Sequence, residues 1–219
     1  YTLSDTLSLH DALPISKTTT GITVNEILSI QGTATASAAP TYGAGATLRY
    51  DTDVARNAGP EWLTPFAASG GVVIANTGTI TLNANKVLNA SVPLTISLGA
   101  SLDTDAANNR SLSVGGNLVL AGTLTANAST ITVSGNWSRT GTFNSGTSTV
   151  VFAGAGTSTV NSSNTFYNLT CATASKAIVF QEGSTQTVSG KFRIDGSAFA
   201  TRVVLSSSGG VGTTWNLVL

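Results

Sequence analysis

The segments Ala128-Ser-Thr-Ile-Thr-Val-Ser-Gly-Asn136, Thr147-Ser-Thr-Val-Val-Phe-Ala-Gly-Ala155 and Phe166-Tyr-Asn-Leu-Thr-Cys-Ala-Thr-Ala174 lie nearly on top of one another when written in register. Each is offset from the last by about 19 residues, a period that signals a repeat array. Leu112-Ser-Val-Gly-Gly-Asn117 extends the series one step back. Leu112, Ile131, Val150 and Leu169 fill one column, and Val114, Val133, Phe152 and Cys171 fill the next. Gly122-Thr-Leu124 recurs as Gly141-Thr-Phe143 at the same offset.

The two apolar columns are two residues apart, so within each segment both point to the same side of a β-strand. Thr, Ser, Val and Ile dominate these segments, which suits a pleated, half-buried surface. A unit of this length holds two or three short strands and cannot bury its apolar column alone. Stacked in parallel register, the units build one continuous core. The expected fold is all-β, a parallel β-helix (β-solenoid) with coils of about 19 residues or slightly more. A β-sandwich also has short, evenly spaced strands, but it does not require one residue class to recur at a fixed offset.

Of the 219 residues only 9% are charged, and the net charge is zero. This excludes the basic patch that nucleic acid needs, and no apolar run reaches the length of a membrane helix. Cys171 is the only cysteine, so it forms no intrachain disulfide. Its column partners mark it as a small buried hydrophobe. The chain has no methionine and ends in mid-pattern on Trp215-Asn-Leu-Val-Leu219. The expectation is a fragment whose own chain continues at both ends.

Thr6-Leu-Ser-Leu-His-Asp-Ala-Leu-Pro-Ile15 resembles the translation of a common sequencing adapter. Residues 1–16 are therefore set aside as a processing scar, leaving residues 17–219 as a single solenoid. The only histidine, His10, falls inside that segment. No histidine is left for a triad or a metal site.

Strands are expected at Gly21–Ile30, Ala46–Tyr50, Gly71–Asn76, Thr79–Leu82, Leu94–Ile96, Ala100–Leu102, Ala177–Phe180, Thr187–Ile194 and Arg202–Leu205. Looser coils are expected before residue 71 and regular ones after it. Arg56–Pro65, with Gly59-Pro60 and Pro65 around Trp62, reads as a loop protruding from a coil.

Gly135-Asn-Trp-Ser-Arg-Thr-Gly-Thr-Phe-Asn-Ser-Gly-Thr-Ser-Thr-Val-Val-Phe152 and Thr165-Phe-Tyr-Asn-Leu-Thr170 resemble repeat units of large bacterial surface proteins of the adhesin or filamentous-haemagglutinin-like kind. Gly71–Leu124 is similar to the coils preceding that unit. The resemblance covers about two thirds of the chain. It implies a right-handed parallel β-helix, export to the cell surface or beyond, and a structural or adhesive role. It carries over no catalytic residue, so the chain is read as non-catalytic, with surface glycans or a host or neighbouring cell as partners.

Candidate sites are few. Asp103, Asp105, Asn108 and Asn109 gather carboxylate and amide oxygens in one turn, as a hard cation such as Ca²⁺ requires. There is no closing Glu and no turn glycine, and the same residues are ordinary turn formers. Turn chemistry is the favoured reading, and no cofactor is expected. The alternative is a carbohydrate-binding or polysaccharide-cleaving β-helix with a calcium-assisted site near Asp103–Arg110. Asn117 and Asn136 occupy equivalent positions and read as a structural amide ladder. Phe166 and Tyr167 are the aromatics kept as surface-contact candidates. The Thr-x-Thr pairs do not hold as a ladder through Thr130, Thr149 and Asn168, so β-propensity explains them.

Overall fold

The computed structural model describes residues 21–196 and 201–219, together with the backbone of Thr2–Leu3 and Leu7–Leu9. His10 and the rest of residues 1–16 lie outside the described residues. Thr2 and Leu3 pair with Thr23 and Val24, and Leu7 and Leu9 pair with Leu28 and Ile30, all in parallel.

Every sheet pairing is parallel, no α-helix occurs among the described residues, and the coils stack as a β-solenoid of about eight turns. One face is a ten-stranded sheet. It runs from Leu7–Leu9 through Ile27–Gln31, Thr47–Asp51, Gly71–Ala75, Leu94–Ile96, Leu118–Leu120 and Trp137–Arg139 to Thr157–Val160, Ala177–Phe180 and Val204–Ser207. A second face holds Arg56–Asn57, Thr79–Thr81, Ser101–Asp103, Thr123–Thr125 and Thr142–Asn144. Asn164–Phe166, Thr185–Val188 and Asn216–Val218 form a separate three-stranded sheet in the same position of the later coils. The third face is Lys86–Leu88, Leu112–Val114, Thr130–Val133, Thr149–Phe152, Asn168–Cys171 and Phe192–Ile194.

The repeat columns become the core of that third face. Leu112 pairs with Ile131, Ile131 with Val150, and Val150 with Leu169, while Val114 pairs with Val133 and Val133 with Phe152. All of these side chains, and Cys171, are fully buried. Parallel pairing at constant register puts like residues over like, and each fully buried aliphatic side chain stabilises by about 1.5–3 kcal/mol.

Coil length varies with the corners, not with the strands. On the ten-stranded face Leu118 pairs with Trp137, 19 positions on, whereas Leu48 pairs with Val72, 24 positions on. The ladder on this face is continuous through Leu28, Leu48 and Val72. The expected strand Thr187–Ile194 is two, Thr185–Val188 and Phe192–Ile194, on different faces. The corner Ser189-Gly190-Lys191 turns the chain between them.

Arg56–Pro65 does not protrude. Glu61 and Trp62 are buried, as is the following Phe66, which bridges to Leu88 of the third face. The Trp62 ring lies 5.9 Å from Tyr50, and Phe66 lies 4.8 Å from Tyr42. A turn-rich composition implies solvent exposure, but this coil lacks a regular third-face strand. The two aromatics fill that space because an empty interior would forfeit their burial energy.

A column of small residues, Gly78, Ala100, Gly122 and Gly141, marks the corner between the first and second faces. The residues after them, Thr79, Ser101, Thr123 and Thr142, are in register. A Cβ on Gly141 would sit 2.0 Å from the Gly122 carbonyl oxygen, and one on Gly122 would sit 2.2 Å from that of Ala100. The corner is too tight for a larger side chain.

Where the second face is interrupted, side chains replace the backbone ladder. Arg139 donates from Nη1 to the Gly141 carbonyl (2.6 Å), from Nε to Asn164 Oδ1 (2.8 Å) and from Nη2 to the Ser163 carbonyl. Trp137 Nε1 also donates to Asn164 Oδ1 (3.0 Å), and Asn164 Nδ2 donates to Gln186 Oε1 (2.9 Å). Trp137 anchors an aromatic cluster with Phe143, Phe152 and Phe166 at centroid distances of 5.0–6.4 Å.

Candidate functional site

The Asp103–Arg110 corner sits between the second and third faces. Asp103 Oδ1 accepts from the Asp105 backbone N–H (2.7 Å) and from Asn127 Nδ2 of the next coil (2.8 Å). Asp105 Oδ1 accepts from the Ala107 N–H (3.1 Å), and Oδ2 accepts from Asn108 Nδ2 (2.6 Å). Arg110 Nε stands 3.7 Å from Asp105 Oδ2. The Asn108 amide holds the Asp105 carboxyl below the usual carboxylate range, with backbone N–H groups and Arg110 acting the same way. Asn109 Oδ1 accepts from the Ala128 N–H of the next coil (2.9 Å). Asp105 and Asn109 both adopt positive φ, 66° and 50°, a conformation Asx residues tolerate. The structure thus brings the four oxygen-bearing residues together as a turn whose hydrogen bonds are made within itself and to the next coil. Among the described residues no three His, Cys, Asp or Glu side chains converge as a metal group.

Of the two aromatic contact candidates, Phe166 is corrected. Its side chain is fully buried at the end of Asn164–Phe166, with its ring 5.5 Å from Trp137. Tyr167 occupies the single-residue corner before Asn168–Cys171 and is 37% exposed. The corner turns after Phe166, so strand alternation sends the first ring in and the corner leaves the second out.

Asn117 and Asn136 stack as expected, but amide does not pair with amide. Asn117 Oδ1 accepts from the Asn136 backbone N–H (2.9 Å), and Asn136 Oδ1 accepts from the Thr159 N–H (2.8 Å). Each side chain caps a donor of the coil above, which the corner geometry leaves without a ladder partner. Asn168 does the same for the Lys191 N–H (2.8 Å).

Sequence reasoning missed a polar cluster inside the early coils. Glu61 is fully buried; its Oε1 accepts from Tyr50 Oη (2.5 Å) and from the Gly59 N–H (2.8 Å), while Oε2 has no partner. Tyr42 Oη donates to the Glu61 carbonyl (2.9 Å). Lys86, also buried, donates from Nζ to the Trp62 carbonyl (2.7 Å) and lies 5.7 Å from that ring's centroid. Nothing in the local pattern marked Glu61 as internal. The signal for Lys86 was its register, because it occupies the column of Leu112.

Burial, and then Glu61, push the Tyr42 and Tyr50 phenols well above their ordinary value. Free phenols ionise near pH 10. The folded chain favours their neutral form, so that share of stability is present below about pH 10 and is lost as pH rises beyond it. Burial lowers the Lys86 amine, partly offset by Glu61. Its share runs the other way and grows as pH approaches about 10.4. Above that value the tyrosines decide. In an alkaline titration the two phenolates are expected to appear together with loss of the β circular-dichroism signal. Their ionisation while the fold persists would contradict the burial seen here.

A groove enclosing about 690 Å³ runs over the corner between the third and first faces. It spans four coils, from Val87 and Asn89 through Ser113 and Asn117 to Ser134 and Ala155. None of its thirteen lining residues is charged.

No known protein family, curated protein or solved structure matches the chain. Among the described residues no helix is long and apolar enough to cross a membrane.

Proposed function

We propose that the chain is a non-catalytic structural or adhesive segment, a stalk or spacer, of a secreted or cell-surface bacterial protein. The observation that carries this reading is the first face, a parallel ladder whose nine strands from Ile27–Gln31 to Val204–Ser207 follow one another along the stack. One apolar column on this face is buried throughout, from Leu28 through Leu94 and Trp137 to Phe180. Eight spacings of about 4.8 Å make a rod of about 38 Å. In a solenoid each coil contacts mainly its neighbours, so stiffness and length are properties of the stack and not of any one site. The motif resemblance to bacterial surface repeats supports the cell-surface setting. Loops and corners on such a rod are what surface glycans or a neighbouring cell would meet.

The direct test inserts a second copy of Leu118–Asn136, one minimal coil, after Asn136. The expected result is a folded protein whose maximum dimension in solution scattering grows by about 4.8 Å. A collapsed or aggregated product, or depolymerisation of a polysaccharide panel by the purified parent chain, would overturn the reading.

A further inference from the structure

We propose that the groove over the third-to-first-face corner binds a neutral glycan chain lying along the solenoid axis. This goes beyond the rod reading and does not depend on it.

The groove exists because corner lengths differ between coils. Residues 115–117 and 134–136 make two three-residue corners, between Leu112–Val114 and Leu118–Leu120 and between Thr130–Val133 and Trp137–Arg139. On one side lies the longer corner 89–93, before Leu94–Ile96. On the other, residues 153–156 precede Thr157–Val160, whose last residue is the one that pairs with Trp137. Two short corners between two long ones make a saddle. Its floor is kept bare by glycines that admit no side chain. A Cβ on Gly115 would lie 2.1 Å from the Asn89 carbonyl oxygen, and one on Gly135 would lie 2.5 Å from that of Gly116.

The lining selects the ligand class. Hydroxyls and amides of Ser91, Ser113, Asn117 and Ser134 alternate with the apolar surface of Val87, which is 41% exposed, and Ala155. Alternating hydroxyl partners and small apolar patches complement a pyranose, which presents hydroxyl edges and C–H faces. The two buried lysines are not part of the lining: Lys86 donates to the Trp62 carbonyl (2.7 Å) and Lys176 to the Ser134 carbonyl (3.1 Å). With no charge in the lining there is nothing to repay the desolvation of a phosphate or uronate. The volume lies within the range of ordinary ligand clefts, about 300–1,000 Å³. The length over four coils is three spacings, about 14 Å, room for a short stretch of an extended chain.

The experiment titrates the intact chain with cellohexaose, mannohexaose, chitohexaose and trigalacturonate, following backbone amide shifts. The expected result is saturable shifts at Ser113, Asn117 and Ser134 with at least one neutral hexasaccharide, a readout that needs no variant. Ala155→Trp and Val87→Asp, both at exposed positions, are then expected to weaken that binding at least tenfold with an unchanged melting temperature. The proposal is overturned if no neutral hexasaccharide shifts these amides, if trigalacturonate binds better, or if both variants bind like the parent. The coil-insertion result is independent of all three outcomes.

Discussion

Gly141→Val is expected to prevent stable folding of the coils around it, at a cost above about 4 kcal/mol. The first added carbon already meets the Gly122 carbonyl oxygen at 2.0 Å and the Ala121 carbonyl oxygen at 2.4 Å. Both are backbone atoms of the coil below, held by the parallel ladder. The Gly141 N–H donates to the Leu120 carbonyl (3.0 Å), and the Thr142 N–H donates to that of Gly122 (2.8 Å). Relieving the clash means parting the coils and breaking those bonds. Gly45→Ala is the control: nothing lies within 4 Å of its added Cβ. Removing backbone freedom from the unfolded chain there leaves stability equal or raised by about 0.4–1 kcal/mol. Urea unfolding of the two variants reads the contrast. Equal midpoints would show that the corner column is not close-packed.

The second large effect is expected at Glu61. Glu61→Ala removes the acceptor for Tyr50 Oη and the Gly59 N–H, deprives Lys86 of the nearby carboxyl that supports its charge, and leaves a cavity. Orphaned buried polar groups and a broken buried charge network each rank among the costly changes, together about 3–5 kcal/mol. Glu61→Gln keeps an oxygen for Tyr50 and is expected to lose much less. That difference separates the hydrogen bonds from the charge. If Glu61→Ala unfolds at the same denaturant concentration as the parent, the cluster has no role in stability.

The two sites differ in how visible they were. Gly122 and Gly141 stood out because they recur at the repeat offset, and stacking turns recurrence in sequence into contact in space. The same logic placed the columns through Leu112 and Val114. It did not reach Arg56–Pro65, because that coil has no counterpart to align with. There the turn residues implied exposure, while the buried aromatics and Glu61 depended on space left by a missing strand. Asn164 was equally hidden. Its neighbours Trp137 and Arg139 come from the coil before it and Gln186 from the coil after, and they meet only where the second face is interrupted.

The groove follows the same division. Its glycines were visible as recurrent small residues, but its depth comes from the difference between neighbouring corners. No single repeat contains that difference.

What the sequence determined by itself is therefore the periodic part of this protein: strands, parallel stacking, the buried columns and the tight corners held by small residues. A fixed offset with alternating burial admits one arrangement that buries every column. What the tertiary structure decided is everything aperiodic: the inward turn of Glu61 and Trp62, the Arg139–Asn164 junction, the burial of Phe166 beside an exposed Tyr167, and the uncharged groove. Those features arise from mismatches in length between adjacent coils. A mismatch acquires a shape only after the coils are stacked.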